Sequence, residues 1–146
     1  MHWGTVTWLF FHTIAEKIKE NEFNNKKEQI LNIIRYLLES LPCPLCKNHA
    51  MRTIVRNPLN KIQSKEHLKL YFFNFHNEVN RRRSIPLADI TVLDKYKNAN
   101  LIGIIRGLNL YFKTSAPQLM ADQMHRRNRL IIINNILKSN MHIFDL

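Results

Sequence analysis

Hydrophobic residues recur every three or four positions along most of the chain, and this spacing predicts helices with one buried face. The first such stretch covers residues 3–19, where Trp3 and Phe10 lie on a common side. A polar stretch at residues 21–25 then predicts a break, and residues 26–40 form the next amphipathic segment. The pattern therefore opens with two helices.

Prolines set the bounds of the third predicted helix. Pro42 ends the second helix, because a proline restricts the backbone of the residue before it. Pro44 suits a first helical turn, where its missing N–H is no loss. We therefore predict a third helix that begins within residues 43–46 and runs to about Arg56.

The rest of the chain continues the helical spacing in shorter pieces. Ser64 is a suitable N-cap for the next helix, and Pro117 interrupts the later part. The remaining predicted helices cover residues 65–82, 88–97, 101–112 and 121–138.

A change of pattern near Asn98 predicts two parts. One is a domain over residues 1–98, and the other is a basic helical extension over residues 99–146 that packs on the core or takes part in a dimer interface. The chain has 3 Gly and 5 Pro, too few for the turns of a strand-rich fold. The predicted fold class is therefore all-α.

Composition limits the class of protein further. Hydrophobic residues make up 45% of the 146 residues and charged residues 23%, a balance typical of a folded globular domain. No apolar run approaches the roughly 20 residues of a membrane span, and the N-terminus lacks the pattern of a signal peptide. We therefore expect a cytoplasmic protein that does not enter a membrane.

The formal net charge of +11 indicates a basic surface. Such a surface suits nucleic acid, an anionic membrane, an acidic protein or a phosphate-bearing cofactor. A basic surface that is solvated and binds no particular ligand is equally consistent with the charge alone.

The two cysteines of the chain, Cys43 and Cys46, are separated by two residues. A disulfide that closes so short a loop stabilises a fold little, so the core must supply the stability and the pair is free for chemistry. At the start of a helix, the dipole and the unpaired amides stabilise a thiolate. This placement favours redox chemistry.

Four interpretations of the pair are possible on spacing alone, and the chain pattern disfavours the first. A thioredoxin-like site requires strand–helix–strand units, which the pattern does not contain. A zinc site would use both thiolates with His49, and His76 or His12 would complete the four ligands. The third interpretation is a dithiol beside a flavin, and the fourth is a pair of buried cysteines without a role.

Three motifs in order make the chain resemble the Erv/ALR family of FAD-linked sulfhydryl oxidases. Trp8 and His12 have the family's four-residue spacing on the first helix, and the Cys-Pro-Leu-Cys motif follows one helix later. His76-Asn77-Glu78-Val79-Asn80 resembles the family's His-Asn-x-Val-Asn motif and follows an aromatic stretch. The resemblance covers about residues 1–96 and is strongest to the versions encoded by large DNA viruses.

The resemblance implies a four-helix bundle with a short fifth helix, and FAD as the cofactor. By resemblance, a substrate thiolate attacks Cys43, the more accessible sulfur, and Cys46 passes two electrons to FAD and then to oxygen, giving hydrogen peroxide. Oxidised protein thiols are the product. The cofactor-binding residues it implies are Gly4, Thr7, Trp8, His12, Cys46, His49, Phe75, His76, Asn77, Val79, Asn80, Arg82, Arg83 and Tyr96.

The chain departs from the family pattern after the fourth helix. The family often has Gly-Lys-Pro where this chain has Ser84-Ile85-Pro86. Because Ile85 replaces the usual lysine, a neighbouring arginine must contact the phosphates. Tyr96 is the nearest aromatic to the tryptophan segment of cellular members, and their additional cysteines are missing.

The resemblance also implies partners. We expect thiol-containing protein substrates, a separate redox relay protein with its own dithiol, and a homodimer formed through the first two helices. The host cytoplasm or the virion is the expected location, and neither nucleic acid nor a metal ion is expected. Two rival functions stay open: a basic module whose arginines bind nucleic acid, and a small zinc-binding interaction protein.

Overall fold

The fold is described here from a computed structural model that covers residues 2–113 and 120–146. Within these ranges the regular elements are helical, apart from one isolated antiparallel bridge between Ile18 and Phe144. The all-α prediction is therefore confirmed; the predicted interruption at Pro117 lies outside the described residues. The α-helices are α1 Trp3–Lys17, α2 Glu20–Leu38, α3 Pro44–Arg56, α4 Lys65–Arg82, α5 Leu101–Lys113 and α6 Met120–Asn140. Three 3-10 segments cover Leu59–Lys61, Ile90–Asn98 and Met141–Ile143.

The predicted break at residues 21–25 is wrong, because α2 already begins at Glu20. Phe23 is 1% exposed and anchors this first part of the helix in the core. Acidic residues in the first turn, Glu20 among them, also favour a helix start through the helix dipole. The chain bends instead at Ile18 and Lys19, which are extended, and the Lys19 amide donates to the Ile143 carbonyl at 2.8 Å.

The segment predicted as a helix over residues 88–97 is helical but of the 3-10 type. It begins after Asp89, whose side chain accepts from the Thr91 amide at 2.9 Å. Tyr96 is its buried residue and anchors the segment against α1. The segment thus closes over the first and fourth helices.

The start of α4 follows its prediction, and its end has a geometry that the pattern did not reveal. Ser64 caps the start by accepting from the His67 amide at 3.0 Å. At the other end the Ile85 amide donates to the Asn80 carbonyl at 2.8 Å, and Ser84 has a φ of 57°. This is the Schellman arrangement, in which a left-handed residue ends a helix.

The C-terminal helices pack on the first two helices. α1 contacts α4 and α5, and α2 contacts α6. Gly107 of α5 lies so close to α1 that an added Cβ would be 3.4 Å from the Val6 side chain. Asn109 and Asn134 join α5 to α6 by reciprocal amide hydrogen bonds of 3.1 and 2.7 Å. One core therefore includes side chains from both predicted parts. None of the described helices has the length and apolar character needed to cross a membrane.

Candidate active site

The two cysteines form a disulfide at the N-terminus of α3. Cys43 is the N-cap, and its sulfur accepts a hydrogen bond from the Cys46 amide at 3.1 Å. Pro44 occupies the first turn, as predicted. The first attack on the Cys43 sulfur stays a prediction, although Cys43 as a whole residue is half-buried and Cys46 is exposed. The N-cap position explains this, because the sulfur of Cys43 folds back over the first turn.

Aromatic rings and imidazoles from α1, α4 and the 3-10 segment form one cluster. Trp8 stacks on His76 with ring centroids 4.1 Å apart and planes 6° apart. His12 stacks on Tyr96 at 4.8 Å, and its Nε2 is 3.0 Å from Nδ1 of His76. Phe75 meets Trp8 edge-on at 5.4 Å. Residues from two of the three predicted motifs therefore lie together with Tyr96.

Burial keeps both histidines neutral. Desolvation, then electrostatic interaction with the His76 ring and with the charge of Lys95, lowers the pKa of His12 to about 3. Desolvation and then Lys95 lower the pKa of His76 to about 4. The Nδ1 atom of His12 is buried and has no hydrogen-bond partner within the described residues. Such an atom is costly in an apolar core and suits a site that a polar ligand completes.

The two asparagines of the His-Asn-x-Val-Asn motif form hydrogen bonds within the protein and do not face an open site. Asn77 donates to the Ala88 carbonyl at 3.1 Å and accepts from the Ala88 amide at 2.9 Å. Asn80 is buried and donates to Asn77 Oδ1 at 3.3 Å. Val79 packs against the hydrophobic core. These residues fix the segment after α4 beside the histidine cluster.

His49 and Arg82 bring the start of α3 close to the end of α4. Desolvation, followed by the charges of Arg82 and Arg52, lowers the pKa of His49. Arg82 and Arg83 are exposed at the end of α4. A positive rim therefore borders the region between the disulfide and the end of α4, where an anionic group would be favoured.

Gly4 and Thr7, the two predicted cofactor-binding residues nearest the N-terminus, form hydrogen bonds within α1 and with its N-cap. Thr7 is buried and its hydroxyl donates to the Trp3 carbonyl at 2.7 Å. The Gly4 amide donates to Nδ1 of His2, the N-cap, at 3.0 Å. An added Cβ at Gly4 would lie 3.1 Å from that same nitrogen, so a larger residue here would displace the exposed His2 ring by a few tenths of an ångström.

A cavity of about 560 Å³ separates α3 from α4. Phe75, Tyr71 and Glu78 line it from α4, and Thr53 and Arg56 line it from α3. Its volume is in the range of cofactor sites. Neither cysteine lines the cavity, since Cys46 lies seven residues before Thr53, about 10 Å along the helix. The two helices are bridged here by side chains, because Arg56 forms an ion pair with Glu78.

Sequence reasoning missed several residues of this region. Glu78 was read only as the variable position of a motif, and its ion pair with Arg56 depends on how α3 lies beside α4. Burial, followed by the charge of Glu78, raises the pKa of Tyr71 to about 12, and its hydroxyl donates to the Asn57 carbonyl at 2.7 Å. The charge of Lys95 contributes to the lowered pKa of both His12 and His76. These contacts join residues of different elements, and the spacing of residues along one helix carries no signal of them.

The ligands of the alternative zinc site do not converge in the part of the chain that the structure describes. The sulfurs of Cys43 and Cys46 are bonded to each other. Over residues 2–113 and 120–146, no group of three His, Cys, Asp or Glu side chains is placed to hold a metal ion. His12 and His76 instead contact each other.

Comparison with known proteins matches the same part of the chain. The model of the Erv1/Alr family matches residues 5–99. Protein 096R of Invertebrate iridescent virus 3 is 35% identical over 97 residues, which are 65% of this chain and 66% of that protein. An FAD-linked sulfhydryl oxidase of African swine fever virus is 32% identical over 98 residues, 67% of this chain and 79% of that protein.

A relative outside the viruses is more distant. FAD-linked sulfhydryl oxidase ERV2 of Saccharomyces cerevisiae is 24% identical over 94 residues, 64% of this chain and 47% of that protein. No solved structure gives a significant match. The family model covers more than half of the chain and includes the cysteine pair and the histidine cluster, and the chain therefore belongs to the Erv1/Alr family.

Proposed function

We propose that this chain is an FAD-linked thiol oxidase that forms disulfide bonds in protein substrates. The observation that carries the proposal is the Cys43–Cys46 disulfide at the start of α3, on a chain that belongs to the Erv1/Alr family. Cys46, His49 and Thr53 follow each other at intervals of three and four residues, so they share the face of α3 that borders the large cavity. This shared face supports the proposal that electrons entering at the disulfide pass toward that cavity.

The residues present fit FAD in three respects. The stacked rings of Trp8 and His76 offer a flat surface for adenine. The unpaired Nδ1 of His12 offers a buried polar atom that a ligand can satisfy. The arginines at the end of α4, Arg82 and Arg83, supply forked donors for two phosphates and replace the lysine missing at Ile85. When bound, FAD accepts two electrons from a dithiol and passes them to oxygen.

The protein's own part of the reaction is thiol–disulfide exchange. A substrate thiolate attacks the Cys43 sulfur, the Cys43–Cys46 bond breaks, and Cys46 leaves as a thiolate. A second substrate thiolate then attacks the mixed disulfide, and Cys43 leaves as a thiolate whose charge the Cys46 amide stabilises. Two substrate thiols have then become one disulfide with loss of two protons, and two electrons rest on the cysteine pair. Reduction of oxygen to hydrogen peroxide consumes two electrons and two protons.

The cluster around His12 supports this reaction by staying uncharged. Both imidazoles are neutral at physiological pH, since the pKa of His12 is about 3 and that of His76 about 4. A neutral ring can stack on a base and exchange a hydrogen bond without the cost of burying a charge. We therefore propose that the adenine end of the cofactor is bound by Trp8, His12, His76 and Tyr96.

We also propose the partners that the residues imply. Both cysteines of this chain belong to the redox pair, so we propose that a separate protein with its own dithiol relays electrons to Cys43. The alternative is that substrate thiols reach Cys43 directly. The host cytoplasm or the virion is the proposed setting, in line with the viral relatives. The predicted division into residues 1–98 and 99–146 stays a proposal, although the two parts pack together.

A homodimer through α1 and α2 stays a prediction, and the extension bears on it. α1 packs against α5 and α2 against α6 of the same chain. A homodimer therefore has to use surface that these contacts leave free. The mass of the protein in solution tests this, because the chain weighs 17.4 kDa and a dimer weighs twice as much.

The experiment that tests the proposed function is a visible spectrum combined with an oxidase assay. We expect the purified protein to absorb at about 450 nm, as flavins do, and to consume oxygen when given dithiothreitol. Cys46→Ser should keep the absorbance and lose the turnover. A colourless preparation that FAD cannot reconstitute, or full turnover in Cys46→Ser, contradicts the proposal. Bound zinc or salt-sensitive binding of nucleic acid by such a colourless protein would favour the rival functions.

A further inference from the structure

The C-terminal helix α6 reaches the redox loop. Arg126 is 6% exposed, and its Nε donates to the Ser40 carbonyl at 3.2 Å. One turn further along α6, Arg129 lies 3.4 Å from the carboxylate of Glu39. Ser40 is three residues before Cys43, so the extension is attached directly beside the disulfide.

A groove of about 270 Å³ lies at this junction. Its walls come from three elements: the end of α2 with Leu41, the start of α3 with Pro44 and Lys47, and α6 with His125 and Arg126. The groove is smaller than most cofactor sites, and it suits a few side chains of a polypeptide. No residue lines both this groove and the large cavity between α3 and α4.

The groove and the large cavity lie on opposite faces of α3. With 3.6 residues per turn, Pro44 and Lys47 point away from the face that carries Cys46 and Thr53. The disulfide therefore lies at the end of α3 where these two faces begin, although neither cysteine lines the large cavity or the small groove. This arrangement separates the side where electrons leave from a side where substrate can arrive.

The groove with its edge has a small net positive charge and an apolar part. Lys47, Arg126 and Arg129 bring three cations to the groove and its edge, against the two carboxylates of Glu39 and Asp122. Among the described residues, Lys47 has no acidic partner. The net charge of +11 on the whole chain extends the positive field that an approaching substrate meets.

An exposed leucine extends the apolar part of this surface. Leu45 stands between the two cysteines and is 65% exposed. Leu41, half-buried, lines the groove itself. Both side chains can contact apolar residues next to a substrate thiol.

We propose that this groove docks the polypeptide whose thiols are oxidised, and that the segment it takes is extended and acidic. The inference rests on the proposed thiol oxidase function and adds a role for α6, which forms one wall. Carboxylates of the substrate lie near Lys47 and His125, and its thiolate reaches Cys43 from the groove side.

The test measures binding separately from turnover. A fluorescent peptide of alternating acidic and small residues around a Ser-x-x-Ser centre cannot react, and its anisotropy reports binding to the holoprotein. We expect Lys47→Glu and His125→Glu each to weaken binding about tenfold, because a repulsive charge replaces a neutral or attractive group. Lys138→Glu, an exposed position of α6 outside the groove, should change it less than about twofold.

A second peptide with Asn and Gln in place of Asp and Glu checks the charge. It should bind weakly to every variant, and added salt should weaken the acidic peptide alone. With the matching Cys-x-x-Cys peptide, the ratio of its KM to the KM for dithiothreitol should rise in the two groove variants. Equal effects of Lys47→Glu and Lys138→Glu, or equal binding of both peptides, overturn the docking proposal. If the unsubstituted protein does not oxidise dithiothreitol, that result instead contradicts the oxidase proposal.

Discussion

His12 of α1 and His76 of α4 are joined through Nε2 and Nδ1, which are 3.0 Å apart. One ring has to donate and the other to accept, so at least one proton position is set by the partner. The remaining ring nitrogen of His12 is buried without a partner in the described part of the chain. This contact links the two motifs that define the cluster and makes its stability depend on both rings being neutral.

Acid should therefore destabilise the protein through these two rings. Their folded pKa values, about 3 for His12 and about 4 for His76, lie below the 6.5 of an unfolded histidine. Protonation favours the unfolded chain, so the stabilisation is complete above pH 6.5 and is lost as the pH falls toward the folded values. We expect the free energy of unfolding to fall by about 2 kcal/mol for each ring, about 4 kcal/mol in all, between pH 7 and pH 5. The two contributions should be nearly equal, because both folded pKa values lie below this range.

Urea denaturation across this pH range measures the effect. The variant His76→Gln should flatten the dependence, whereas His142→Gln, at an exposed position, should leave it as it is. A pH profile that is identical in all three proteins would show that the cluster does not control acid stability.

Bound FAD should shield Cys46 more than Cys43. Cys46 is exposed in the structure and lies on the face of α3 toward the large cavity. In Cys43→Ser, alkylation of the remaining thiol should slow at least about tenfold when FAD is present at ten times its Kd. In Cys46→Ser, the rate at Cys43 should change less than about twofold. Mass spectrometry after iodoacetamide treatment gives both alkylation rates. Equal protection of the two thiols would contradict the assignment of Cys46 as the cysteine nearer the flavin.

Ser84→Gly should stabilise the protein. Ser84 ends α4 with a φ of 57°, a conformation that costs a residue with a Cβ about 1 kcal/mol. Glycine removes this cost, so we expect a gain of about 0.5 kcal/mol after the greater freedom of the unfolded chain is subtracted. The matched control is Ser139→Gly within α6, which should lose about 0.5–1 kcal/mol. A thermal or urea melt in which Ser84→Gly loses as much as the control contradicts the assigned helix end.

Removal of one side chain from α5 should weaken the whole fold. Phe112 is completely buried and meets the Trp3 ring edge-on at 6.4 Å. We expect Phe112→Ala to cost about 3–4 kcal/mol of unfolding free energy, as for other buried aromatic residues. Ile102→Ala, on the same helix but 44% exposed, should cost less than about 1 kcal/mol. Similar values for the two variants would mean that the extension does not share the core.

The helix pattern shows where local information is sufficient. The N-cap Ser64 and the proline at the first turn of α3 act on their own neighbours, so the bounds of α3 and α4 could be predicted. The start of α2 could not, because Phe23 turns a polar stretch into helix by being buried in a core built from other parts of the chain. Burial is a property of the assembled fold, and a window of sequence does not contain it.

The same distinction applies to the site. Sequence alone determined the redox pair, its place at a helix start and the histidine motifs, because residue type and spacing along one helix are local facts. Only the tertiary structure decided that His12 meets His76, that Asn77 serves the Ala88 backbone, and that α6 forms a wall beside Cys43. These contacts join residues far apart in sequence, and their geometry depends on how whole helices pack. Helix spacing predicts the faces that are buried, but it does not predict which faces meet.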